Sequence, residues 1–105
     1  MLYLDKVNFD ADLLQHSGKS FVMFSGDGWA PCEAIKPFVV VCSEKYADKI
    51  RFCLLDTTKS KRLAMSQKVM GLPTMVIYEN GAEIDRLKKE DITEAAVEAF
   101  IQKHV

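Results

Sequence analysis

Phe24-Ser25-Gly26-Asp27-Gly28-Trp29-Ala30-Pro31-Cys32-Glu33-Ala34-Ile35-Lys36-Pro37 is the stretch on which the reading of this chain turns. It is entered from Ser20 to Phe24, a compact apolar run suited to a parallel strand buried on both faces. Ser25-Gly26-Asp27-Gly28 breaks the run with a flexible turn. Pro31 then falls in the first turn of a helix, where a missing backbone donor goes unnoticed. From about Ala30 to Tyr46, the residues Cys32, Ile35, Val39, Cys42 and Tyr46 recur every three or four positions and predict one apolar face. Pro37 removes a donor inside this helix and is expected to kink it.

Working outward, Leu2 to Leu4 reads as a short strand, and Phe9, Leu13 and Leu14 recur at helical spacing until Ser17-Gly18 stops them. On the other side, Ile50 to Leu55 is a further strand, and Lys59 to Lys68 a short helix with Leu63 and Ala64 as its apolar contacts. Thr74 to Tyr78 and Glu83 to Leu87 flank Asn80-Gly81, the signature of a tight antiparallel hairpin. Asp91 with Glu94 reads as a capping box, and Ile92, Ala96, Val97, Phe100 and Ile101 form the stripe of a last helix. Parallel βαβ units closed by a hairpin and a helix predict an α/β fold, with a central mixed sheet of about five strands and helices on both faces.

A chain of 105 residues with 49% hydrophobic and 28% charged residues is large enough for one self-sufficient core and too short for two, so residues 1–105 are read as a single domain. A net charge of −1 removes the electrostatic drive for nucleic acid or an anionic membrane. The longest apolar runs, Phe38 to Cys42 and Met75 to Tyr78, are far below the roughly 20 residues of a membrane span. Asp5, Asn8 and Asp10 interrupt any secretory leader, which points to the cytoplasm. Three cysteines without paired spacing argue against a disulfide framework and a zinc site, and fit a reducing compartment. His16 and His104 have no partner at ligand spacing, so neither metal nor cofactor is expected.

The Phe24–Pro37 stretch, Gly71-Leu72-Pro73-Thr74 and the Asn80-Gly81 hairpin together resemble the thioredoxin family over essentially the whole chain. In that family a strand ends in a Trp-Cys-Gly-Pro-Cys turn, a proline follows five residues after the second cysteine, and a Gly-Ile-Pro-Thr segment supplies a cis proline. Pro31-Cys32 matches the end of the turn, Pro37 stands five residues on, and Pro73 takes the cis-proline place. In this ungapped register the first cysteine is replaced by Trp29 and the family tryptophan by Gly28. A second register puts Trp29 on the family tryptophan and Ala30 on the first cysteine, at the expense of a one-residue deletion; either leaves one active-site thiol. The family's buried acid aligns with Met23 and its lysine partner with Leu54, so the proton relay is replaced as a unit by apolar residues.

Reduction of a disulfide needs one thiolate to attack and a second thiol to resolve the adduct. With Cys32 alone the chain acts at most as a monothiol, and glutathione, a partner thiol or a thioredoxin-reductase-like protein must finish the cycle. A helix start favours a thiolate through its free donors and dipole, while the stripe Cys32, Ile35, Val39, Cys42 turns the same residue inward. Cys42 and Cys53 read as small core hydrophobes. Trp29 either packs over the helix start or anchors a peptide in a groove formed with Ala30, Pro31, Leu72 and Pro73. Lys59, Lys61, Arg62, Lys88 and Lys89 read as solvated faces. Two functions follow: a monothiol exchange protein acting on protein thiols or disulfides as a monomer, or a non-catalytic module that binds a peptide in the cis-proline groove.

Overall fold

The computed structural model describes residues 1–105. Strands β1 (Leu2–Leu4), β2 (Lys19–Ser25), β3 (Arg51–Asp56), β4 (Thr74–Glu79) and β5 (Ala82–Leu87) form one sheet in the order β1-β3-β2-β4-β5. β1, β3 and β2 run parallel, while β4 is antiparallel to β2 and β5 to β4. This is the α/β mixed sheet of five strands that the sequence predicts.

Period-two alternation along β2 explains the helices on both faces. Phe21 and Met23 point into a cluster with Val39 and Cys42 of α1 (Ala30–Lys45) and Val97, Phe100 and Ile101 of α3 (Glu94–Gln102). Val22 and Phe24 point the other way, into a cluster with Leu4, Phe9, Leu13 and Tyr78, against which Leu63 of α2 (Lys61–Ser66) packs. Phe21 lies between the Phe52 and Phe100 rings, at 4.9 and 6.2 Å between centroids.

Several local expectations shift. The Phe9–Leu14 pattern forms a five-residue π-type turn, Asp10–Leu14, because the segment needs only Phe9 and Leu13 buried and a single wide turn delivers both. Lys59–Lys68 splits into a 3-10 turn, Thr57–Lys59, and α2, since Ser60 is non-helical between them. Asp91 does not cap α3. It closes its own 3-10 turn, Ile92 is extended, and Thr93 becomes the cap, accepting the Ala96 N–H at 3.0 Å. α1 ends at Lys45, one residue short of the expected Tyr46, with Pro37 inside it.

The hairpin is pinned where expected. Asn80 and Gly81 both take positive φ, and Asn80 exchanges two hydrogen bonds with Gly18, donating to its carbonyl at 3.0 Å and accepting its N–H at 2.8 Å. A Cβ on Gly81 would lie 2.0 Å from the Leu14 carbonyl oxygen, so this position admits no side chain.

Candidate functional site

β2 delivers the chain to the turn Gly26–Trp29 at the carboxyl end of the sheet, and α1 leaves from it. Antiparallel pairing of Phe24 with Thr74 brings the Leu72–Pro73 peptide, which is cis, to the same end. The turn is held from below by a third segment: Thr57 donates its hydroxyl to the Ser25 carbonyl at 3.1 Å, and Asp56 accepts the Asp27 N–H at 3.3 Å. Asp56 also accepts the Thr58 N–H and hydroxyl, at 3.0 and 2.8 Å. Burial works against the Asp56 charge, and these hydrogen bonds outweigh it and hold the carboxyl below its ordinary value.

At the helix start the Trp29 carbonyl accepts the N–H groups of Cys32 and Glu33, both at 3.0 Å, and the Trp29 side chain is left free of any capping duty. Pro31 occupies the first turn, as its spacing predicts. Cys32 is fully buried, and its Sγ accepts the Gly26 N–H at 3.4 Å. Its neighbours are apolar. Met23, flanked in the sheet by Leu54 and Met75, shares one core cluster with Cys32. The two positions that the resemblance assigns to an acid and a lysine are thus adjacent, apolar and buried, Met23 fully and Leu54 at the edge of a cleft with Asp27, Glu33 and Asp56. All three cysteines are free and buried; burial raises the Cys42 thiol and pushes Cys53 up to about 11.

The predicted groove is divided. Trp29, 56% exposed, shares a cleft of about 560 Å³ with Leu72, Met65, Met70 and Lys61. Pro31 and the buried Pro73 line a separate, smaller cleft with Ile35 and Ile92. Ala30 is exposed on the helix start and lines neither. Lys89 lines both clefts, because its stem lies across Gly71, where a Cβ would fall 2.6 Å from Lys89 Cδ.

Met65, Met70 and Lys89 were not legible as site residues. Met65 and Met70 are 74% and 94% exposed, unusual for methionine, and the one signal was an apolar run, Val69 to Pro73, carrying no strand alternation. His104 finds a partner that sequence spacing does not show, with Nε2 2.8 Å from Asp85 Oδ2.

A family profile for thioredoxin matches residues 1–103. A thioredoxin of Acetoanaerobium sticklandii is 45% identical over 105 residues, covering all of both chains. One from Peptoclostridium acidaminophilum is 37% identical over 105 residues, all of this chain and 96% of the relative. A solved structure of Plasmodium falciparum thioredoxin superposes with a TM-score of 0.90 over the full length of both, at 24% identity, which establishes the shared fold. Matched along its length by the family profile and by these relatives, the chain belongs to the thioredoxin family of thiol-disulfide oxidoreductases.

Proposed function

We propose that this protein performs thiol-disulfide exchange on protein substrates through one thiol, Cys32, with the surface around Trp29, Pro31, Leu72 and Pro73 holding the substrate segment. The observation that carries the reading is the position of Cys32: alone among three cysteines it sits in the first turn of α1, with its Sγ aimed at the Gly26 N–H of the turn above it.

In the forward step the Cys32 thiolate attacks one sulfur of a substrate disulfide. A Cys32–substrate disulfide forms, the substrate S–S bond breaks, and the second substrate sulfur leaves as a thiolate. An external thiolate, from glutathione or a dithiol of a reductase-type partner, then attacks the Cys32 sulfur of the adduct, and the substrate sulfur leaves as a thiolate. A second external thiol attacks the new mixed disulfide, freeing Cys32 as its thiolate and leaving the two external sulfurs joined as the oxidised product. The Cys32 proton leaves to solvent, since Met23 and Leu54 offer no carboxylate or amine to receive it. Because Cys32 is buried, the step requires the Gly26–Trp29 turn to lift, a local opening that costs less than global unfolding. Three free thiols suit a reducing compartment such as the cytoplasm.

The test is the alkylation rate of each cysteine in the native protein at neutral pH, resolved by mass spectrometry. Cys32 should react at least about tenfold faster than Cys53, because opening the turn exposes only the former. Equal rates for the two would mean that Cys32 is reached only through global unfolding. Exchange would then fail, leaving a protein that binds substrate segments without chemistry.

A further inference from the structure

The Trp29 cleft shares Met70, Gly71 and Lys89 with a second, polar cleft of about 590 Å³ that Lys68, Arg86 and Lys88 also line. Arg86 is already committed. Its Nε and Nη2 donate to Glu83, and Nη1 and Nη2 donate to the Lys68 and Gln67 carbonyls, at 2.6 to 2.9 Å. Lys61, Lys68, Lys88 and Lys89 are in none of the ion pairs of the fold. Across the two clefts, four unpaired ammonium groups face one unpaired carboxylate, Glu90. The chain as a whole carries a net charge of −1, so this positive surplus is local. On the far side of the Trp29 turn a third cleft carries Asp27, Glu33 and Asp56 against Lys36 and Lys59, so the field changes sign across the turn.

Three large exposed apolar side chains, Trp29, Met65 and Met70, stand in the midst of these lysines. Methionine adapts to irregular partners, and an apolar patch rimmed by one sign of charge marks a surface for a partner of the opposite sign. We propose that the joined clefts dock an acidic segment of the client protein, seating one large apolar side chain on Trp29, Met65 and Met70 and its flanking carboxylates on Lys61, Lys88 and Lys89. This rests on the exchange reading for why the segment is brought here, and names the substrate class for it.

Trp29 is the only tryptophan in the chain, so its emission reports occupancy directly. The probes are three cysteine-free decapeptides with a central leucine flanked by glutamate, glutamine or lysine, titrated against the intact protein at low salt. The glutamate peptide should bind roughly tenfold more tightly than the glutamine peptide and the lysine peptide most weakly, with the differences closing in high salt. Lys88→Glu with Lys89→Glu should invert the order, whereas Lys36→Glu with Lys59→Glu, an equal change in net charge beyond the turn, should preserve it. Met70→Ser should weaken all three alike. No charge preference, an equal effect of the two double variants, no binding at all, or vesicles containing phosphatidylserine quenching Trp29 as strongly as the glutamate peptide would each overturn the proposal. Because the probes contain no sulfur, the result is independent of Cys32. An inert Cys32 beside a bound glutamate peptide removes the exchange chemistry and leaves the acidic-segment surface standing.

Discussion

Trp29 and Cys32 are separated by a single helical turn and occupy opposite environments. Below the turn, Cys32, Met23 and Met75 are fully buried in an apolar floor, with Leu54 at its edge where the charged cleft begins. Above it, Trp29, Met65 and Met70 stay exposed among unpaired lysines. The floor is organised by packing, where any charge is penalised; the rim is held by a few hydrogen bonds to Asp56 and Thr57 and keeps large side chains in water. The difference teaches that an exposed apolar rim and a buried thiol can be shaped independently, because they lie on opposite sides of one backbone turn.

The largest effect should come from charging the floor. Met23→Asp places a carboxylate at a fully buried position beside Leu54, and should destabilise the fold by roughly 3–5 kcal/mol in urea unfolding. Adding Leu54→Lys across the same strand pair should return part of the loss. A single variant as stable as the parent would show that water reaches the floor, and the contrast with the rim would collapse.

A smaller effect is expected at the support of the rim. Asp56→Ala removes the acceptor for Asp27 and Thr58 and should cost about 1 kcal/mol, the usual size of a lost cap. Since the Asp56 carboxyl is held below its ordinary value, its contribution is complete above the unfolded value near ~4 and is lost as pH falls through the lower folded value. Trp29 emission should therefore change in that acid window before the core unfolds, and should lose this early step in Asp56→Ala. An identical acid profile in both proteins would mean that the turn is not held by Asp56.

The smallest effect on stability belongs to the rim itself. Trp29→Ala removes a side chain that caps nothing and is more than half exposed, so unfolding should move by less than about 0.5 kcal/mol. Affinity for the glutamate decapeptide should fall by about tenfold or more, measured by calorimetry, since the anchor is lost. A large stability loss instead would make Trp29 a packing residue and erase the distinction between floor and rim.

The element order, the α/β class and the cis-proline place were legible because each rests on local chemistry: a continuous apolar run along β2, Pro31 at a helix start, Asn80-Gly81 in a hairpin. Inward placement of Cys32 was legible too, because a helix repeats every 3.6 residues and Ile35, Val39 and Cys42 lie on the same face. The cap of α3 was not. Asp91 and Thr93 are both good caps, and the choice was made by the extended backbone at Ile92 as the chain left β5.

By itself, then, the sequence determined the fold and the family, since these depend on residue type and spacing, and the same resemblance implies that one active-site thiol and a buried charge pair, at Met23 and Leu54, are absent. Only the tertiary structure decided that the groove divides, with Trp29 and Leu72 on one side and Pro31 and Pro73 on the other, and that Lys89 stands between them. It alone gathered Lys61, Lys88 and Lys89, which the sequence shows as ordinary solvated faces, together with Lys68, along two neighbouring clefts. The physical reason is that a local field is a sum over neighbours in space, and residues from α2, the segment after it and the segment after β5 become neighbours only when the sheet brings their ends together.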